Sequence, residues 1–156
     1  MKFGIIGAGN MGGAIARGLA DGQHFKSEHI IVSDLSEPCL NALQNDVPGI
    51  KVCNDNLQAA QADIVLIAVK PWLVDLVLKE IAHCLNEKKM LIVVAAGVSF
   101  EQIYKSLPED LAGMPCYRLI PNTAITEKES MNLFAAINTS KEQNEFIFNV
   151  FGELGT

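Results

Sequence analysis

Residues 3–20 read FGIIGAGNMGGAIARGLA, and Gly7, Gly9 and Gly12 stand in the spacing G-x-G-x-x-G. Alone, that spacing is a weak signal, and a glycine-rich turn with no ligand satisfies it equally well. Its surroundings add meaning. Lys2–Ile6 is an apolar run of strand type, and Asn10–Ala20 carries Met11, Ile15 and Leu19 at helical spacing. Glycines between a strand and a helix make a phosphate cradle. Gly7 permits the tight turn, Gly9 lets a pyrophosphate reach the backbone, and Gly12 lets helix and strand pack closely. The first N–H groups of the helix, at Asn10, Met11 and Gly12, have no intrahelical acceptor and sit at the positive end of the helix dipole. The chemistry expected here is binding of a dinucleotide pyrophosphate.

A second expectation follows from Asp34, which lies roughly 20 residues past the motif and directly after the run Ile30-Ile-Val-Ser33. An aspartate there accepts hydrogen bonds from both hydroxyls of an adenosine ribose and opposes a 2′-phosphate. No arginine follows it. The next residues are Leu35, Ser36 and Glu37. The residue chemistry leans towards NAD, although Ser33 and Ser36 offer hydrogen bonds to a 2′-phosphate. Three more stretches fall at the ends of apolar runs: Ala68-Val69-Lys70-Pro71, Ala95-Ala96-Gly97-Val98 and Arg118-Leu-Ile-Pro-Asn122-Thr123. Strand ends are where open α/β sheets bind ligands. Burying a lysine there is costly without a charged ligand or water, so Lys70 is expected to face a crevice or to snorkel from a loop.

The elements that must position these residues alternate along the chain. Strands are expected at Lys2–Ile6, His29–Ser33, Ile50–Val52, Asp63–Val69, Met90–Ala96, Pro115–Leu119 and Met131–Ile137. Asp63–Val69 and Met90–Ala96 are continuous apolar runs, as in a parallel sheet covered on both faces. Helices are expected at Asn10–Ala20, from Glu37 to about Asn45 with Ser36 as cap, and from a cap at Asp55 or Asn56 to near Ala62. The helix opened by Pro71 would bury Leu73, Leu76, Val77 and Ile81. Ser99-Phe-Glu-Gln102 and Ser140-Lys-Glu-Gln143 are capping boxes. The second opens a helix with Phe146, Ile147 and Val150 inward, ending at Gly152. Strands alternating with helices imply an α/β fold: a Rossmann-type, doubly wound, mainly parallel sheet with helices on both faces. Residues 1–156 are read as one dinucleotide-binding domain.

Composition narrows the function classes. The 156 residues carry a net charge of −6 and no basic stripe, which argues against a non-specific nucleic-acid binder. No apolar run approaches the roughly 20 residues of a membrane span. Lys2 and Ala14-Ile15-Ala16 resemble parts of a secretion signal, but Asn10 and the glycines interrupt the apolar segment. Cys39, Cys53, Cys84 and Cys116 show no C-x-x-C, and His24, His29 and His83 fit no metal-ligand spacing. Reduced thiols, no metal and a cytoplasmic location are expected.

The four motifs, in this order and spacing, resemble pyrroline-5-carboxylate reductase, a family with a G-x-G-N-M-G-like turn, then A-V-K-P, A-A-G-V and R-x-M-P-N-T-P. The likeness runs from Met1 to Gly155. It implies reduction of the C=N bond of Δ1-pyrroline-5-carboxylate to L-proline by NADPH or NADH. By position it implies that Ile6, Gly7, Ala8, Gly9, Asn10 and Met11 hold the pyrophosphate. Asp34 and Ser36 would border the adenosine ribose, and Asn56 the adenine side, with Asp55 or Asn54 as alternatives across a one-residue gap. Ala68, Val69, Lys70 and Pro71 would line the approach to the nicotinamide, Ala96 and Gly97 would leave room for its ring, and Asn122 and Thr123 would lie near the substrate mouth.

Ile120 replaces the family's methionine and Ala124 its final proline, and neither change removes a polar group. The family continues into a helical part that forms a homo-oligomer and completes the substrate pocket. The chain is therefore expected to be the cofactor-binding part, with little or no turnover alone. The substrate is a small molecule, and no nucleic acid or membrane is expected as partner. The cofactor carries the hard step in such a reaction. No residue here stands out as the acid that protonates the imine; Lys70 and Thr123 are candidates by location only, so the catalytic residues stay unassigned. Another oxidoreductase built on the same first domain, related to 6-phosphogluconate or β-hydroxyacid dehydrogenases, and a non-catalytic dinucleotide-binding module remain the alternatives.

Overall fold

A computed structural model of the chain describes residues 1–95, 97–120 and 133–154. Seven strands form one sheet: β1 (Phe3–Ile6), β2 (Ile30–Ser33), β3 (Lys51–Cys53), β4 (Ile64–Ile67), β5 (Met90–Val93), β6 (Cys116–Ile120) and β7 (Leu133–Ile137). Their spatial order is β3-β2-β1-β4-β5-β6-β7. Every pairing is parallel except β6 with β7, which is antiparallel. The order reverses between β1 and β4, so the connections leaving their carboxyl ends run to opposite faces of the sheet, the helix Asn10–Asp21 to one and the helix Val74–Ile81 to the other, and a crevice opens between them.

The strands are apolar throughout because both faces are covered. On one face Phe3, Ile5, Ile64 and Leu66 pack with Ile15 and Leu19 of α1 (Asn10–Asp21), Leu40 and Leu43 of α2 (Glu37–Asp46), and Ile147, Val150 and Phe151 of α6 (Lys141–Gly152). The alternate residues Ile6, Val65 and Ile67 face α3 (Asn56–Ala59), α4 (Val74–Ile81) and α5 (Phe100–Lys105). The two inward sets follow the period of two along each strand. Both capping boxes form, at Ser99 and at Ser140. Ser36 caps α2 and Asp55 caps α3.

One helix departs from its expected register. Pro71–Leu73 forms a 3₁₀ turn, and the buried face of α4 is Val74, Val77, Leu78 and Ile81. Leu73 and Leu76, expected inside, are 38% and 65% exposed. The tighter winding of the first turn rotates the apolar stripe relative to one continuous α-helix. The third helix is also shorter than expected, ending at Ala59.

Gly4 shows why β1 begins as it does. A Cβ there would lie 2.0 Å from the carbonyl oxygen of Ala59, so only glycine admits the α3 backbone this close to the sheet. Gly4→Ala should lower stability by about 1–3 kcal/mol, read as a lower urea midpoint at unchanged slope. Cys116 is wholly buried in β6, and burial pushes its thiol up to about 12. Tyr104, whose hydroxyl donates to the Met114 carbonyl, is likewise pushed up to about 12 by burial. Both groups ionise more readily in the unfolded chain. The stability they contribute is complete below about pH 9 and is lost as pH rises towards 12. The urea midpoint should fall between pH 8 and pH 10.5, and Cys116→Ala should flatten that fall.

Candidate functional site

The sheet's carboxyl edge is built by main-chain bonds that run past the strands. Gly7 N–H donates to Ser33 O (2.8 Å), Ala68 N–H to Ile6 O (2.8 Å) and Val94 N–H to Ile67 O (2.9 Å). Gly7 turns the chain with φ of 109°, a conformation that favours glycine. A Cβ on Gly12 would lie 1.8 Å from the carbonyl oxygen of Gly7, so the glycine brings α1 directly onto the turn. Gly9 differs from both. Its backbone is extended, and a Cβ there would meet no described residue within 4 Å. That space is the cleft.

The N-terminus of α1 is open. Its cap residue Gly9 has no side chain to offer, and the first turn holds no acidic residue. The helices α2, α3, α5 and α6 are capped by a serine or aspartate oxygen, while α4, which follows the 3₁₀ turn at Pro71–Leu73, has no side-chain cap. The N–H groups of α1 thus keep their hydrogen-bonding capacity and their partial positive charge for an anion from outside the chain. The turn fits a pyrophosphate by this uncapped end and by the empty space over Gly9.

Two clefts meet at the turn. One, of about 380 Å³, is lined by Ile6, Gly7, Gly9, Ser33, Asp34, Leu35, Asn56, Ala68, Val69, Lys70, Leu73, Leu76 and Val77. The other, of about 480 Å³, is lined by Gly9, Asn10, Met11, Ala68, Val69, Lys70, Pro71, Val94, Ala95, Leu119 and Ile120. Gly9, Ala68, Val69 and Lys70 belong to both. The pair therefore forms two compartments joined over the glycine turn, each of a size suited to a small ligand. Lys70 is exposed and lines both clefts.

Asp34 is tied on both oxygens. Ala8 N–H donates to Oδ2 (2.6 Å) and Ser36 N–H to Oδ1 (2.7 Å). The carboxylate therefore braces the glycine turn from β2, and each oxygen keeps a further lone pair for a ligand hydroxyl. Ala8 is buried, and its N–H is spent on Asp34. Ser36 lines neither cleft; its hydroxyl accepts from Cys39 N–H at the start of α2. Of the three residues considered for the adenine side, Asn56 lines the smaller cleft. Asp55 accepts from Leu57 N–H, and Asn54 lines a neighbouring depression beside Glu37 and Cys53. Gly97 is exposed, with φ of 79°. Ala96, Asn122 and Thr123 lie outside the described residues.

The structure adds residues that spacing alone passed over. Leu35, Leu73 and Leu76 make apolar walls for the smaller cleft, and Leu35 is 92% exposed. The signal in the sequence was an exposed-type turn, Asp34-Leu35-Ser36, that nonetheless places a leucine in water. Val94, Leu119 and Ile120 line the larger cleft where strands β5 and β6 end. Arg118 Nε is buried with no hydrogen-bond partner among the described residues, and its guanidinium lies 5.7 Å from the Phe100 ring centre. Among the described residues no three His, Cys, Asp or Glu side chains gather as a metal site, and no helix is long and apolar enough to cross a membrane.

Comparison with known proteins bears out the likeness read from the four motifs. A pyrroline-5-carboxylate reductase of Methanosarcina acetivorans is 34% identical over 99% of this chain and 57% of its own length. The pyrroline-5-carboxylate reductase of Escherichia coli is 34% identical over 97% of this chain, again 57% of its own length. The chain thus spans about half the length of the curated relatives it matches. The solved structure of a pyrroline-5-carboxylate reductase from Coxiella burnetii superposes with a TM-score of 0.87 at 29% identity, over 97% of this chain and 55% of that one. A pyrroline carboxylate reductase from Plasmodium falciparum, solved with NADP bound, shares the fold at a TM-score of 0.85 and 24% identity, over 99% of this chain and 55% of that one. The model of one oxidoreductase family matches residues 2–97, more than half of the sequence, and the chain belongs to that family, described as NADP oxidoreductase coenzyme F420-dependent.

Proposed function

We propose that this chain is the dinucleotide-binding part of a pyrroline-5-carboxylate reductase, and that its cofactor is a reduced nicotinamide dinucleotide with NADH preferred. The observation that carries the reading is the uncapped α1 N-terminus, standing over Gly9 where two compartments join. A dinucleotide has the matching form: two ring-bearing halves joined by a diphosphate. In this reading the N–H groups of Asn10 and Met11 hold the diphosphate, and Asp34, Leu35, Asn56 and Leu76 take the adenosine half. Val69, Lys70, Pro71 and Ala95 border the nicotinamide half.

The bound dinucleotide supplies the hydride. When bound it would reduce the substrate's C=N bond, with hydride to the carbon and a proton from solvent to the nitrogen, leaving the oxidised dinucleotide and a cyclic secondary amine. The protein's share would be to hold the substrate's imine carbon about 3–3.5 Å from the hydride-bearing carbon of the nicotinamide ring, and aligned with it. The apolar residues Val94, Ala95, Leu119 and Ile120 would exclude water from that end. Asn122 and Thr123 are proposed to stand near the substrate mouth, and a small carboxylated imine is the proposed partner. Preference for NADH rests on Asp34: a 2′-phosphate placed beside its carboxylate meets a like charge.

Gly9→Ala tests the cradle. The added methyl meets no atom of the described residues, so the thermal midpoint should hold while NADH affinity falls roughly tenfold or more, the equivalent of one lost charge-assisted contact. Unchanged affinity in calorimetry would remove the turn from the site. Asp34→Ser tests the ribose end. NADH should weaken about tenfold while NADPH is relieved of repulsion, so the ratio of the two dissociation constants moves towards NADPH. A fixed ratio would take Asp34 out of cofactor choice.

A further inference from the structure

Behind the adenosine compartment a chain of hydrogen bonds crosses from β2 to α4. Ser33, at the end of β2, is wholly buried, and its hydroxyl donates to Asn56 Oδ1 (2.7 Å). Asn56 Nδ2 donates in turn to Glu80 Oε1 on the last turn of α4 (2.8 Å). The same Ser33 accepts through its carbonyl from Gly7 N–H, so the network is anchored on the glycine turn. Asn56 is half-buried and lines the compartment with Asp34.

The chemistry of the two partners is unequal. A serine hydroxyl donates or accepts, so it tolerates either end of an amide. A carboxylate only accepts. Glu80 therefore forces the amide nitrogen of Asn56 towards α4 and leaves the carbonyl for Ser33. Without Glu80 the two near-isosteric orientations of the amide approach equal energy. With it, Asn56 presents one fixed pattern, a single N–H and a single lone pair still unused.

We infer that Glu80 is a positioning residue: it sets the orientation of the Asn56 amide, and through it the recognition of the adenosine half of the ligand. The inference rests on the dinucleotide reading of the cleft. Its sign is diagnostic. Glu80 is an exposed carboxylate that lines neither cleft and stands one hydrogen bond behind Asn56, so by charge alone its removal should leave the binding of an anionic ligand unchanged or tighter. Positioning requires the opposite.

The test uses the whole chain and ADP-ribose, which carries the adenosine and diphosphate without the nicotinamide, in calorimetric titration. Glu80→Ala should weaken ADP-ribose about fivefold, the scale of one net hydrogen bond. Glu80→Gln, whose amide donates as well as accepts, no longer forces one orientation and should fall between wild type and Glu80→Ala. Asn56→Ala should weaken binding at least as much as Glu80→Ala, and the double variant should be no weaker than Asn56→Ala, because the two act as one unit. Thermal midpoints close to wild type would show that the variants are folded. Equal or tighter binding by Glu80→Ala, additive losses in the double variant, or a Glu80→Gln variant that binds as wild type does would each overturn the inference. Absence of ADP-ribose binding by the folded wild type would overturn the dinucleotide reading itself, and this inference with it.

Discussion

The contact between Gly12 and the carbonyl of Gly7 governs the arrangement of the site. With a separation that no Cβ could occupy, the first turn of α1 sits directly on the end of β1. That proximity brings the open N–H groups of the helix to the crevice where the strand order reverses between β1 and β4. A wider separation would move the helix end away from Ala68 and Val69 on the neighbouring strand end. The two compartments would then no longer share a floor.

Asp34 has a place in the same geometry. Its carboxylate accepts from Ala8 N–H inside the glycine turn and from Ser36 N–H at the head of α2. An acidic group at the end of β2 thus does structural work before any ligand arrives, holding the turn against the strand beside it. The positive end of α1 lies open, whereas the nearby Ala8 N–H is answered from within the chain. The division separates N–H groups that no described side chain caps from one that the fold satisfies itself.

The walls of the clefts come from a different logic. Leu35, Leu73 and Leu76 are exposed apolar residues that gain nothing from the core, and they gather at one compartment. Leu73 and Leu76 reach it because Pro71 opens a 3₁₀ turn and rotates the helix that follows. Read as an ideal helix, those leucines belong inside. The departure is local and places apolar surface where a ring could lie.

Much of this was legible in the sequence. The strand–glycine–helix opening, the continuous apolar runs and the two capping boxes are local features, each set by the conformational needs of a few neighbouring residues. They therefore survive without knowledge of the fold. The order of the strands, the approach of Ala59 to Gly4, the rotated face of α4 and the chain from Ser33 through Asn56 to Glu80 join residues far apart along the chain. No local preference encodes them, since they arise from the packing of helices on a twisted sheet. The residue types that can bind an anion were determined by the sequence. Which of them share a cleft, and which are spent on bracing it, only the tertiary structure decided.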